Sequence, residues 1–194
     1  MKFGTLAPRW SERIWVNPQE CSERILRSAG CPEFASSGRV VRYWPRTLPV
    51  DGAKSLALIR HWQYGESWSD SGYIDLLMER IRQGKPEDGC TSLDAICRRC
   101  AMLDATFAMI ARDGRLRTRQ ELDSSAFREY GGVTISISPT GALVKTGGGN
   151  HRFVMARILS IRVIPAQLGV IHRDALRQLQ LLRRPAGAIP QGWE

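Results

Sequence analysis

One stretch constrains this chain more than any other: a run of three glycines set directly before an apolar segment. Thr146-Gly147-Gly148-Gly149-Asn150-His151-Arg152 leads into Phe153–Leu159, where Arg157 alone interrupts the apolar side chains. The order predicts strand, tight turn, helix. Upstream, Ile135 and Ile137, then Leu143 and Val144, flank Pro139-Thr140-Gly141 and predict two short strands joined as a hairpin. Glycine lets the backbone adopt positive φ and approach a ligand closely. Asn150 reads as the N-cap of a helix that is apolar almost all round and therefore buried. Turn N–H groups, the positive end of the helix and the Arg152 guanidinium are expected to converge on one spot. Such a spot suits an anion, and phosphate is the expected ligand.

Two common phosphate motifs are absent. A Walker loop needs Gly-Lys-Ser/Thr after its spacer, whereas Lys145-Thr146 precedes these glycines, and no dinucleotide fingerprint occurs. The longer block from Gly147 to Ile171 nevertheless resembles the ParB/sulfiredoxin-like superfamily. Its members share a glycine turn, a His/Arg-Arg pair, a buried helix and a strand opening on Ile-Pro. The corresponding parts are Gly148-Gly149-Asn150-His151-Arg152, Phe153–Ser160 and Ile164-Pro165-Ala166-Gln167-Leu168. Sulfiredoxin's reactive cysteine falls where this chain carries Asn150, and an amide cannot act as a thiolate nucleophile. The resemblance implies an α/β fold: a small mixed sheet of the ParB/sulfiredoxin type with inserted helices. It also extends to Ile110-Ala-Arg-Asp-Gly114, after which family members place a ligand-contacting loop. That makes Arg117 and Arg119 the second candidates for phosphate contact, although the family's Gln-Pro after this glycine is missing.

The 194 residues are expected to form one compact domain built from four sections. Residues 1–52 contribute a strand, 53–122 form a helical region, 131–172 the sheet core, and 173–194 a terminal helix and tail. Arg13–Pro18 reads as the first strand, Gly38–Tyr43 as another, and Ser28–Ser37 as a loop. Lys and Arg total 28 against 19 acidic residues, a net charge of +9, and only four of the 28 are lysine. Arginine's planar fork suits phosphate, yet a genome rich in arginine codons gives the same composition. The charge permits nucleic acid as a partner, but the basic residues are spread along the chain. No apolar run has membrane-spanning length, and no signal-peptide core opens the chain. The five cysteines, irregularly spaced, read as reduced thiols of a cytoplasmic protein.

Within the helical region, Ala53–Trp62 places Leu56, Ile59 and Trp62 on one face, with His61 packed beside it. Tyr73–Gln83 forms a second helix. Asp70 reads as a cap, or as a candidate base within Trp68-Ser-Asp-Ser71, a stretch similar to the Trp-Glu-Asp-Thr of some ParB-like proteins. Ser92 caps a third helix whose apolar stripe runs Leu93, Cys97, Cys100, Asp104, Phe107, Ala111, widened by Ile96, Leu103 and Ile110. Cys97 and Cys100 lack the second pair a zinc site needs and read as buried thiols. Asp104 on that stripe requires a partner, such as an arginine or a metal. A structural ion pair and a functional carboxylate are its two readings. His172 either lines the site or caps the last helix, with the cap preferred. In that helix Leu176, Leu179 and Leu182 face inward, and Arg177, Arg183 and Arg184 outward.

The superfamily includes CTP-binding partition proteins, a free-serine kinase, sulfiredoxin and nucleases, which share a phosphoryl group held on the glycine turn. By that resemblance the expected activity is an ATP-dependent phosphotransferase acting on a hydroxyl of a small molecule or glycan. Gly147, Gly148, Gly149, Asn150, His151 and Arg152 would hold the phosphates of ATP or CTP, with or without Mg²⁺. Asp104, Asp70 or His151 would serve the chemistry, and Glu121 is a further acidic candidate. The alternatives are a DNA-binding protein or nuclease and a nucleotide sensor without turnover.

Overall fold

The computed structural model describes residues 4–25, 34 and 36–183. Cys31, Arg184 and the tail from Pro185, together with most of the 28–37 loop, lie outside the described residues. The fold is mixed α and β. The strands are β1 (Arg13–Val16), β2 (Glu23–Arg24), β3 (Arg39–Val41), β4 (Leu48–Pro49), β5 (Val133–Ile137), β6 (Leu143–Lys145) and β7 (Ile164–His172). The helices are α1 (Ala53–Tyr64), α2 (Tyr73–Arg82), α3 (Leu93–Asp113), α4 (Arg119–Leu122), α5 (Asn150–Ile158) and α6 (Leu176–Leu182). Two compact units are formed, one from residues 1–48, 117–149 and 162–194, the other from 49–116 and 150–161.

The first unit is built on the sheet, whose strands run in the order β1-β7-β5-β6-β2-β4, with β3 also paired to β7. β7 is buried at all nine positions, flanked antiparallel by β1 and parallel by β5. A strand covered on both faces reads as a near-continuous apolar run rather than an alternating one, as Ile164–Ile171 does with Gln167 as its one polar side chain. The expected hairpin is present, with Ile137 opposite Leu143 and Ile135 opposite Lys145. β2 and β4 escaped the sequence because two residues carry no periodicity. Around the sheet, buried carboxylates are neutralised by arginine. Glu12 takes Arg183 at 2.6 Å, and Glu129 takes Arg13 at 2.9 Å. Arg183 therefore folds back onto the unit instead of pointing outward. His172 accepts from the Asp174 N–H at 3.3 Å and so caps the 3-10 turn Arg173–Ala175 rather than the last helix itself, which follows Ala175.

Lys145 shapes the glycine turn. Its side chain is buried, and Nζ donates to the carbonyls of Thr146 (2.8 Å), Gly147 (3.1 Å) and Gly148 (2.7 Å). In a trans peptide the carbonyl and the following N–H point in opposite directions, and no cis bond occurs among the described residues. The N–H groups of Gly147, Gly148 and Gly149 thus face away from the ammonium. Gly149 has φ +76°, and a Cβ there would lie 2.6 Å from the Val133 Cα. Gly148 meets nothing nearer than the Gly132 carbonyl at 3.7 Å and has an ordinary φ.

The second unit is helical. α5 packs on α1 and α3 with Phe153, Val154, Met155 and Ala156 buried. It has already begun at Asn150, so the cap position falls on Gly149 rather than on the asparagine. α1 buries Ser55, Ala57 and Leu58 and leaves Leu56 exposed. Small side chains admit a closer neighbour than the Leu56 stripe would. In α3 the buried residues are Ile96, Cys100, Leu103 and Ile110, all within the expected stripe but toward one edge of it. Leu93, Cys97 and Ala111 are consequently exposed, so only one thiol of Cys97-Arg-Arg-Cys100 is buried. Ser92 caps α3, accepting from the Ala95 N–H at 3.2 Å. Among the described residues, no helix is long and apolar enough to cross a membrane.

The two glycines should separate cleanly in urea unfolding. Gly149→Ala is expected to lose about 2 kcal/mol or more, from left-handed backbone plus steric overlap. Gly148→Ala should stay within about 0.5 kcal/mol of the parent. Equal losses would mean that the turn is not held as described.

Candidate functional site

In the second unit, α5 delivers His151 into a half-buried polar cluster with Lys54, Tyr73 and Asp88. The Tyr73 hydroxyl lies 2.8 Å from His151 Nε2 and 3.3 Å from Asp88 Oδ2. His151 Nε2 is 3.5 Å from the same carboxylate. Lys54 opens α1 and bonds Asp88, with Glu87 at 3.2 Å. Asp88 sits in the turn before Cys90 at φ +55°, a left-handed conformation that an aspartate tolerates better than most residues. Arg99, from α3, is near enough for its charge to act on Asp88, His151 and Tyr73. Its Nε is buried with no hydrogen-bond partner among the described residues.

Electrostatics fix the protonation states. Burial works against the charge on Asp88, but the hydrogen bond and charge of Lys54, aided by Arg99, outweigh it and hold the carboxyl below its ordinary range. Burial lowers His151 to about 4. Asp88 opposes that shift, whereas Lys54 and Arg99 reinforce it. The imidazole is therefore neutral at pH 7, and its approach to Asp88 is not an ion pair there. Burial, then the Asp88 charge, pushes the Tyr73 hydroxyl well above the usual tyrosine range, so it keeps its proton. Two proton arrangements satisfy the network: Tyr73 donates to His151, or His151 donates to Tyr73 and Tyr73 to Asp88. A neutral imidazole, a phenol and a carboxylate in mutual reach can pass a proton without separating charge.

A second polar centre of this unit lies on α3. Asp104 Oδ1 accepts from the Trp62 indole at 2.9 Å and lies 3.0 Å from His61 Nε2, and Oδ2 accepts from the Trp68 indole at 2.8 Å. His61 stacks on Trp68 at 3.8 Å, and Trp62 on Phe107 at 5.0 Å. The partner Asp104 required is thus two indoles and a histidine rather than an arginine or a metal. Partial burial alone would raise its pKa, but these hydrogen bonds lower it below the ordinary carboxylate value. Burial pushes the neighbouring Cys100 thiol up to about 12, so it is not a reactive thiolate.

The other expected site residues are dispersed. Asp70 is exposed and accepts from the Ser67 hydroxyl at 2.6 Å, a local turn contact. Glu121 completes a capping box with Thr118 at the start of α4. Asn150 and Arg152 stand in the first turn of α5, half-buried. Gly147, Gly148 and Gly149 belong to the first unit, as do Arg117 and Arg119. Arg119 is tied by its N–H to the buried carboxylate of Glu129 at 3.2 Å, and its Nε is buried without a partner among the described residues. Glu129 precedes Gly132, whose carbonyl lies under Gly148 and Gly149. Lys54, Tyr73, Asp88 and Arg99 were not legible as site residues. One signal existed for Lys54: it is one of four lysines in a chain that otherwise uses arginine. Among the described residues no group of three or more His, Cys, Asp or Glu is placed to hold a metal ion.

Compared with protein-family models, with curated proteins and with solved structures, the chain gives no match.

Two pH windows should separate the polar centres. His151 is harder to protonate folded than unfolded, so the unfolded chain takes up the proton first. Stability should fall as pH drops from about 6.5 toward 4, and His151→Gln should flatten that slope. Asp104 contributes fully above the ordinary value of 3.8 and loses its contribution only as pH falls through its lower folded value. Asp104→Asn should therefore change the profile below about pH 4 and not the His151 window. Urea midpoints from pH 8 to 3 read both.

Proposed function

We propose that this chain binds a nucleotide through the segment Gly147–Arg152 and transfers a phosphoryl group to a hydroxyl. On this reading it is a ParB/sulfiredoxin-like phosphotransferase that uses ATP or CTP. One observation carries the reading. Lys145 draws three consecutive carbonyls inward, and the opposed N–H groups of Gly147, Gly148 and Gly149 have no partner among the described residues. A buried cation behind the turn and bare amides in front of it favour an anion on the open side. The next residue begins α5, whose first turn carries His151 and Arg152. Arg152 supplies a guanidinium to the phosphates, and Arg117 and Arg119 are the second candidates. Mg²⁺ would arrive with the nucleotide, held mainly by phosphate oxygens.

In this reading His151 accepts the proton of the acceptor hydroxyl, because it is neutral at pH 7 and coupled to Tyr73 and Asp88. Its low basicity suits a loose transition state, in which positioning and charge stabilisation outweigh proton removal. Asp104 holds aromatic rings in place, and Asp70 has no observed role beyond its turn. The hydroxyl acceptor is a small molecule or a glycan.

Thermal unfolding against ATP, CTP, GTP and ADP, with and without Mg²⁺, tests binding. A hundredfold excess over Kd should add about 2.7 kcal/mol. Arg152→Ala should abolish the shift. His151→Gln should keep the shift and lose phosphate transfer to hydroxyl acceptors. No shift with any nucleotide at millimolar concentration would sink the reading. A shift without turnover in the parent protein would leave a nucleotide sensor.

A further inference from the structure

The first unit carries a feature that nucleotide binding leaves unused. Trp10, Phe127 and Tyr130 are large aromatic side chains, 53%, 54% and 59% exposed, yet they lie against one another. The ring of Trp10 is 5.2 Å from that of Tyr130 at 29°, and 5.5 Å from that of Phe127 at 32°. Exposed rings are ordinarily scattered singly, and a contiguous group marks an interaction surface. Arg128 joins the group, its guanidinium 4.9 Å over the Phe127 ring and donating to the Trp10 carbonyl at 2.7 Å. The arginine is thereby held against the Phe127 ring and the Trp10 backbone. Both segments are fixed from beneath. The Glu129 N–H bonds the Ser11 carbonyl at 3.2 Å, and Ser11 and Arg128 both adopt left-handed φ of +51°. Each such residue costs about 1 kcal/mol or more, so the surrounding contacts hold the arrangement against its local preference.

Charge selects the occupant. The nearby carboxylates Glu12 and Glu129 are buried and neutralised by Arg183 and Arg13, while Arg9 stands exposed next to Trp10. Asp123, the exposed carboxylate of the loop, is turned to the N–H and hydroxyl of Ser125. The cluster thus shows half-exposed aromatic rings and guanidinium groups. We infer that Trp10, Phe127 and Tyr130, with Arg128 and Arg9, form a docking surface for single-stranded nucleic acid. Unpaired bases stack on the rings, and phosphates pair with the arginines. Stacking needs free base faces, which a duplex does not offer, and it tolerates any base because each has a π-face. Three adjoining rings exceed what one base needs and suit successive bases of a strand. This inference does not rest on nucleotide binding at Gly147–Arg152.

The test is fluorescence anisotropy of labelled oligothymidylate with the full chain, at low and moderate salt. The parent should bind, more weakly as salt rises. Phe127→Leu with Tyr130→Leu keeps apolar bulk at exposed positions and should preserve the unfolding midpoint. Affinity should fall about tenfold or more for each ring lost. Trp10→Phe retains a ring, so it should keep most of the binding while removing much of the tryptophan quenching caused by the oligonucleotide. Arg152→Ala should leave the affinity nearly unchanged, which separates this surface from the glycine turn. Four results would each overturn the inference: no binding at low salt, unaltered binding by the Leu double variant, equal affinity for duplex, or an oligosaccharide that quenches Trp10 where the oligonucleotide does not.

Discussion

The ammonium of Lys145 is the interaction on which the turn depends. Taking such a charge out of water costs several kcal/mol, and only near-complete hydrogen bonding offsets it. Three protons meet three carbonyls, each bond to a charged donor contributing about 1.5–3 kcal/mol. That balance dictates the path of the backbone: the carbonyls of residues 146–148 turn inward, so their peptide N–H groups turn outward. It also explains the glycines. Gly149 must take positive φ with its α-carbon close against Val133, where no side chain fits.

The second unit repeats the pattern with the sign reversed, placing buried or half-buried carboxylates at its organising points. Asp88 gathers Lys54, Tyr73 and His151, while Asp104 gathers Trp62, Trp68 and His61. The two centres have different chemistry. Asp104 accepts from two indole N–H groups, which cannot titrate, and lies beside His61, so it orients a stack of rings. Asp88 faces a lysine and two groups able to exchange a proton, where neighbouring charges decide who holds it. Lysine and arginine are not interchangeable in these roles. Among the described residues, Lys145 and Lys54 occupy positions where a compact ammonium meets several acceptors at once. Several arginines pair with a single carboxylate, as Arg13, Arg157 and Arg183 do.

Local grammar settled much of the architecture. Alternation around Pro139-Thr140-Gly141 specified the β5–β6 hairpin, Ser92 and Gly114 specified the ends of α3, and the apolar run after Gly149 specified a buried helix. Those features depend on near neighbours alone: caps, turns and periodicity. The face each helix buries was another matter. Leu56 and Ser55 lie on adjacent stripes of α1, and Cys97 and Ile96 on adjacent stripes of α3. A rotation of 100° per residue exchanges them, and the packing partner makes the choice.

By itself the sequence determined the mixed α and β class, the glycine turn and the helix that follows it, because backbone propensity and hydrophobic period are local properties. Only the tertiary structure decided which polar groups meet. Lys54 and His151 stand 97 positions apart, and Trp10 and Tyr130 stand 120 apart. No spacing rule links such residues. For Lys54 and His151 the reason is burial, which makes an unpaired polar group costly enough for the fold to bring it a partner.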